Sequence, residues 1–409
     1  MKALVMCGGV PQIELLKKLK ERGISTVLAD MNEKVKAREF ADSFFPVSTL
    51  DVEGIYELAK REKVDFLITV CADQVLEVVA EVSERLGLPC YIDYKTAEDV
   101  SKKSYMKRIF VENGIPTSRH VIMSELDLEK ISHLEYPLIV KPVDSYSSRG
   151  VKKVNSPEEL RPAFDEAVKI SRTDTAVVEE FVPGEEVTVD VYVEGGKAHV
   201  LTMSNSEKIK GNDKFVIYRT VNPARVSDSV AEKIREVAQK IADAFGLKDS
   251  PMLIQLINNG ERVSVVEFCA RTGGGIKFRL IKKISGFDVI DAVIDLTLGN
   301  KPHFDKDAVP PKKYLVNEFI YCNPGVIDSF EGFEELKNEG IITEYYLLKV
   351  KGTRLGEISA SADRAACFTV EAETPEKLMR LHKEATSRVR VLNTEGEDLI
   401  KRELFKLEI

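Results

Sequence analysis

Apolar positions in the first hundred residues alternate between two spacings. Ala3 to Met6 is a continuous apolar run of strand length, whereas Pro11 to Arg22 carries Ile13, Leu16 and Leu19 at helical spacing until Gly23 stops it. Ser25 to Ala29 and Phe66 to Val70 repeat the strand pattern. Gln74 to Leu86 repeats the amphipathic helix, and Leu88 to Ile92 is predicted as one more short strand. Such alternation predicts parallel βα units with helices on both faces of one sheet. Cys7-Gly8-Gly9 and Thr69 to Asp73 then fall at carboxyl ends of strands, where open α/β sheets bind ligands.

The pattern changes at Ala97. Ser101 to Arg108 opens a basic helix ending near Asn113-Gly114, and Tyr136 to Pro142 is a buried strand with Lys141 at its end. A small polar loop, Asp144 to Val151, follows. Ala176 to Val182 leads through Pro183-Gly184 into the strand Val187 to Val193, and Asn205 to Arg225 is strand-like, polar and rich in lysine and arginine. In the last hundred residues Tyr314 to Tyr321, Ile342 to Lys349, Cys367 to Glu373 and Val389 to Val391 are predicted strands, with a helix from Pro375 to Arg388. A structural role is favoured there for Ser359 to Arg364 over one at a site.

The most informative stretch is Val266-Glu267-Phe268-Cys269-Ala270-Arg271, followed by Thr272-Gly273-Gly274-Gly275. A strand has a side-chain period of two, so Glu267, Cys269 and Arg271 share one face. A carboxylate and a guanidinium aimed together into a glycine-rich turn make poor core, because each charge needs a partner. They suit a metal-bound triphosphate. Met252 to Ile257 forms a hairpin with Glu261 to Phe268 around Asn258-Asn259-Gly260. A two-residue turn would put Gln255 and Glu267 on opposite faces, so a shared site predicts a three-residue or another odd loop with Gly260 left-handed.

Composition narrows the function classes. The chain has 409 residues, with 59 Lys and Arg against 67 Asp and Glu, a net charge of −8. That balance excludes general nucleic-acid binding, which needs a basic face. No apolar run approaches the roughly 18 residues of a membrane span, so no membrane partner is expected. Cysteines 7, 71, 90, 269, 322 and 367 lie far apart without paired metal spacing, as expected of reduced thiols in a cytoplasmic protein. A nicotinamide-binding reading fails, because Cys-Gly-Gly-Val-Pro-Gln lacks the three-glycine spacing and Asp30 alone is an ordinary strand-end acid.

Taken in order, these motifs resemble the ATP-grasp superfamily of carboxylate–amine ligases, of the amino-acid ligase and carbamoyl-phosphate synthase large-subunit kind. The resemblance implies a fold of the α/β and α+β classes. It comprises a Rossmann-like N-terminal domain over 1–96, an ATP-grasp domain over 97–310 with halves 97–170 and 171–310, and a small α+β cap over 311–409. It further implies that Lys103 and Lys141 meet the nucleotide, a role suited to compact cations beside apolar elements. Ser147, Ser148, Arg149 and Gly150 would form the loop over the phosphates. Glu179, Glu180 and Val182 would form the adenine hinge, and Glu186 would accept the ribose hydroxyls.

The superfamily's metal ligands are two acids and an asparagine, and here the sequence departs from them. Gln255 stands in the first acid's place and Cys269 in the asparagine's, which leaves Glu267 as the carboxylate. Magnesium prefers oxygen ligands and commonly relies on one or two carboxylates plus phosphate oxygens and water. Glu267 and Gln255 are therefore the expected metal ligands, with ATP and Mg2+ (or Mn2+) as cofactors and a weakened metal affinity. Arg271, Glu267 and Lys141 are the expected catalytic residues. Gly273, Gly274, Gly275 and Lys277 would receive an anionic substrate group at a helix start. The implied reaction activates a carboxylate as an acyl phosphate and joins it to an amine, with small-molecule substrates and a homodimer as the default assembly. Three alternatives stay open: a glycinamide ribonucleotide synthetase-like ligase, a nucleotide-binding protein without turnover, and a covalent enzyme built on Cys269.

Overall fold

A computed structural model describes residues 1–145, 149–209, 215–260, 262–305 and 313–407. The predicted residues Ser147, Ser148, Lys210, Lys214 and Glu261 lie outside that set. The N-terminal sheet is parallel, with strand order Ser43–Phe45, Ser25–Ala29, Lys2–Met6, Phe66–Ile68. Ala3 and Val5 join the core on one face and Leu4 and Met6 the core on the other, as βα units covered on both sides require. Helices Val10–Glu21, Val52–Glu62 and Asp73–Leu86 do the covering. The strand expected at Leu88 to Ile92 is absent. Pro89 has no N–H to give a ladder, and the chain turns instead to Asp93, whose carboxylate caps helix Tyr94–Ser101 by accepting from the Thr96 N–H at 2.8 Å. The basic helix is also split: Lys102 is extended (φ −90°, ψ 105°), so Lys103 becomes the first residue of helix Lys103–Glu112.

The next sheet is antiparallel, in the order His120–Met123, Ala176–Glu180, Leu138–Pro142, Lys152–Val154. Leu160, Phe164 and Ala167 of helix Pro157–Ile170 pack on Leu138, Val140 and Val178. Strand Ala176–Glu180 is internal to this sheet, paired on one side with His120–Met123 and on the other with Leu138–Pro142, although the expected division at 170/171 separates it from both. Gly184 has φ +147°, and a Cβ there would lie 2.3 Å from the Asn258 carbonyl oxygen. No other residue fits that crossing.

A third sheet has eight strands, in the order Val263–Cys269, Ser250–Asn258, Glu185–Glu194, Lys197–Lys208, Ile217–Asn222, Tyr314–Ile320, Ala366–Ala372, Glu344–Leu347. The last three come from the predicted cap. They continue the sheet of the preceding segment rather than building one of their own, although a separate apolar cluster packs them against helix Pro375–Arg388.

The Gln255–Glu267 register is set differently from the expected odd loop. Asn258 pairs with Val263, which leaves the four residues 259–262 between them, an even number. The missing residue of parity is a β-bulge. Leu256 pairs with Val265 and Gln255 with Glu267, so Val266 is the extra residue. Gly260 has a positive φ (+97°), as expected. Beyond the bulge Phe268 points into the core, where its ring meets Phe245 at 4.5 Å and Phe110 at 6.0 Å between centroids. Glu267, Cys269 and Arg271 consequently face the other way. Pro116 and Thr117 cover the outer edge of this strand: the Val265 N–H donates to the Pro116 carbonyl at 2.7 Å, and Thr117 Oγ1 donates to the Val265 carbonyl at 2.8 Å.

Where the cap joins the sheet, Arg219 lies opposite Glu318 in neighbouring strands, both fully buried. Arg219 Nε donates to Glu318 at 2.7 Å, and His382 of helix Pro375–Arg388 shares the same carboxylate at 2.7 Å. Glu207 also reaches Arg219 at 3.1 Å, so breaking the pair from one side leaves a buried charge only partly compensated. Glu318→Leu or Arg219→Met alone is therefore expected to cost ~3–5 kcal/mol, and the double substitution clearly less than the sum. Urea unfolding of the three variants measures this, and additive losses would contradict it.

Candidate nucleotide and substrate site

A cavity of about 870 Å³ opens between the sheets and takes wall residues from all parts of the chain. Asp73 comes from the first turn of helix Asp73–Leu86, Lys103 from the head of its helix, Gln255, Glu267 and Arg271 from the hairpin, and Arg364 from the connection that leads into strand Ala366–Ala372. Glu267 is partly exposed to the cavity, with the Lys103 ammonium 3.4 Å from its carboxylate. Lys103 Nζ also donates to the Ser145 carbonyl at 2.7 Å, at the start of the predicted phosphate loop. Burial pushes the Lys103 ammonium toward losing its proton, but Glu267 beside it wins and holds its pKa above the ordinary value. In the loop, Ser145 Oγ donates to the Arg149 carbonyl at 2.9 Å, Arg149 is exposed, and Gly150 has φ +74°.

Arg271 is clamped. Its Nε and Nη2 donate to the two oxygens of Asp73 at 2.5 Å each, and Nη1 donates to the Thr272 carbonyl at 2.8 Å. Burial would raise the Asp73 carboxyl, yet the guanidinium keeps it below the usual carboxylate range. Burial holds the Cys269 thiol well above its ordinary pKa, so it stays protonated at neutral pH. A protonated thiol is a poor ligand and a poor nucleophile, which removes the support for covalent chemistry at Cys269.

Gln255 lies across the ladder from Glu267. Its Nε2 donates to Glu186 at 3.0 Å, and Lys208 pairs with the other Glu186 oxygen. Glu186 is thus buried under Gln255, with two partners of its own. Lys141 likewise does not reach the cavity wall. It pairs with buried Glu179, which Lys107 also meets at 2.8 Å. Glu180 turns outward to Arg119 and accepts from the Glu135 N–H at 2.9 Å, while Val182 lies in the connection just before Gly184. Gly273, Gly274, Gly275 and Lys277 line the cavity, and Lys277 reaches Asp190 at 3.1 Å.

Four functional candidates escaped the sequence pattern. The sequence places Asp73 at a strand end where such sheets bind ligands but gives it no role or partner, and Lys107 reads as one of several charges on a basic helix. Met106, Ile109 and Phe110 around it are buried, which was the available signal. Asp190 interrupts an apolar strand, and nothing in the sequence pairs it with Lys277. For Arg364 the sequence favours a structural role.

The donor set fits a hard cation. Glu267 offers a carboxylate, and with its nitrogen committed to Glu186 the Gln255 amide presents its oxygen; both line the cavity. Among the described residues no cluster of three or more His, Cys, Asp or Glu could cage a metal alone. The remaining ligands would be phosphate oxygens and water, as is usual for Mg2+.

Comparison with known proteins finds two matching domains and a shared fold. Residues 134–279 match the ATP-grasp domain, and residues 318–393 match the L-amino acid ligase C-terminal domain 2. A formate-dependent phosphoribosylglycinamide formyltransferase of Ignicoccus hospitalis is 25% identical over 60% of this chain and 63% of its own length. The human mitochondrial carbamoyl-phosphate synthase is 22% identical over 78% of this chain and 22% of its own. The chain thus spans less than two thirds of these relatives. Two solved structures share its fold. An L-amino acid ligase from Bacillus licheniformis has a TM-score of 0.81 at 19% identity, covering 96% of this chain and 98% of that one. A phosphoribosylglycinamide synthetase from Anaerococcus prevotii has 0.78 at 20%, covering 96% and 99%. Residues 134–279 thus carry an ATP-grasp domain and residues 318–393 an L-amino acid ligase C-terminal domain 2, on a fold shared with both solved structures.

Proposed function

We propose that the protein activates a carboxylate with ATP and joins it to an amine, with an amino acid as substrate. The observation that carries this reading is the convergence of Glu267, Gln255, Lys103 and Arg271 with a triple-glycine turn on one cavity. A carboxylate oxygen of the donor attacks the γ-phosphorus and ADP leaves with the bridging oxygen. The amine then attacks the acyl carbon, phosphate departs, and the amine's proton passes to solvent or phosphate. No side-chain nucleophile is needed, because positioning and charge neutralisation carry most of this chemistry. Glu267 and Gln255 would hold Mg2+, which when bound neutralises the triphosphate. Lys103 holds Glu267 and the loop start in place, and Arg271, held by Asp73 through Nε and Nη2, would steady the transferring group through the remaining N–H on Nη1.

The C-terminal domain match supports an amino-acid substrate. A second reading, a ligase acting on a phosphoribosyl amine, is supported by the 25% identical formyltransferase. Phosphate release from pairs of amino acids against phosphoribosyl amines separates the two.

The expected adenine hinge rests on Glu179. Burial would raise its carboxyl, but the Lys107 and Lys141 ammonium groups overcome this and hold it far below the ordinary range. Burial also lowers Lys107. The hinge strand is thereby fixed to the helix that begins with Lys103.

Two outcomes are expected. Glu267→Gln should reduce substrate-dependent ADP release on the order of 10²-fold or more while the fold persists, and full turnover would sink the metal role. Because Glu179 has a depressed pKa in the folded state, it stabilises the fold above the unfolded carboxylate value of about 4.3 and loses that contribution as pH falls below it. Glu179→Gln, which strands two buried ammonium groups, should cost ~3–5 kcal/mol at neutral pH and flatten the loss of stability on acidification. Urea unfolding from pH 3 to 7 reads both effects, and wild-type stability at pH 7 would refute the triad's role.

A further inference from the structure

The far end of the cavity, away from Glu267, is walled by Ile217, Leu315, Phe319 and Arg364. Among the described residues Arg364 differs from every other lysine and arginine on the wall. Each of the others has a carboxylate within salt-bridge distance, from Lys103 on Glu267 and Arg271 on Asp73 to Arg279 and Lys283 on Glu344. Arg364 has none. The nearest acid in sequence, Asp363, is spent locally: one of its oxygens accepts from the Ser359 N–H at 2.7 Å, the Ser359 hydroxyl at 2.8 Å and the Ala360 N–H at 2.9 Å.

The guanidinium is nonetheless held rigidly. Nε donates to the Tyr321 hydroxyl at 3.0 Å, Nη2 donates to the Ile217 carbonyl at 3.0 Å and to Ser361 Oγ at 3.4 Å, and the group stands 3.6 Å over the Phe319 ring. All these partners are neutral, so they orient the charge without cancelling it. Among the described residues Nη1 has no hydrogen-bond partner. A fixed, uncompensated guanidinium on a half-apolar wall is suited to a carboxylate, which it binds in a planar, charge-assisted geometry.

We propose that Arg364 is the receptor for the free carboxylate of the amine substrate, so that the acceptor is an amino acid rather than a neutral amine. This rests on the ligase reading above and adds which end of the cavity takes which substrate. The donor carboxylate, which must meet the γ-phosphate, lies at the Glu267 end. The acceptor's own carboxylate, which must not be phosphorylated, is held at the opposite end, with its side chain against Ile217, Leu315 and Phe319.

The test uses hydroxylamine, an amine that carries no carboxylate and traps acyl phosphates as hydroxamates. The full chain with MgATP and each of the common L-amino acids as donor is assayed with hydroxylamine, with L-amino acids, and with their C-terminal amides as acceptors. Wild-type protein should prefer free amino acids over their amides. In Arg364→Gln the KM for amino-acid acceptors should rise ~10–100-fold relative to that for hydroxylamine, the range a charged hydrogen bond supplies, with partial recovery in Arg364→Lys. Equal loss with hydroxylamine would place Arg364 on the donor or in the fold and overturn the proposal, as would amides serving as well as acids. Absence of any hydroxamate from the wild type would overturn the ligase reading instead. The receptor is then decided by binding: L-amino acids, but not their amides, should raise the melting temperature of the MgADP-saturated chain, and Arg364→Gln should abolish the rise. No rise, a rise indifferent to the substitution, or one given only by a phosphomonoester such as ribose 5-phosphate would overturn it.

Discussion

Parity in one hairpin governs the site. Successive side chains of strand Val263–Cys269 face opposite sides, and Phe268 has a place in an aromatic cluster with Phe110 and Phe245. An even connection with a regular ladder would send Glu267 into that cluster and Phe268 into the cavity. The extra residue at Val266 resolves the conflict, letting an apolar core and a charged site share a single strand. The position of Gln255, the pairing of Glu267 with Lys103, and the direction of Arg271 all follow from it.

Around that strand the charges are arranged in closed sets. Glu179 takes both Lys107 and Lys141, Glu186 takes Gln255 and Lys208, and Asp73 takes Arg271 from 198 residues along the chain. Each set satisfies groups that would be costly to bury singly. The arrangement also means that a residue can matter to nucleotide binding without facing the cavity. Lys141 and Glu186 set the shape of the wall from behind, through Glu179 and Gln255.

Much of this was legible in the sequence, because period-two and period-3.6 patterns report burial directly. The parallel sheet, the hairpin, the strand ending at Lys141 and the facing of Glu267, Cys269 and Arg271 were all readable from spacing. What spacing could not report is which partner a charge finds. Asp73 and Arg271 are separated by 198 residues, and Lys107 looked like its exposed neighbours although it is buried. The bulge escaped because one added residue in a strand leaves the same parity as one added residue in a loop. The split of the basic helix at Lys102 depends on a single backbone conformation, and the short strand Ser43–Phe45 contains too few residues to display a period.

The eight-stranded sheet crosses what would otherwise be the boundary of the C-terminal segment. Strand Ile217–Asn222 is hydrogen-bonded to Tyr314–Ile320, and Arg219 is neutralised by Glu318 beyond that seam. Exchanging this segment for that of another protein would therefore require a matching ladder edge and a matching buried acid as well as a compatible surface. Diversification of the far end of the cavity is thereby confined to side chains replaced in place, on a scaffold whose pieces are not interchangeable.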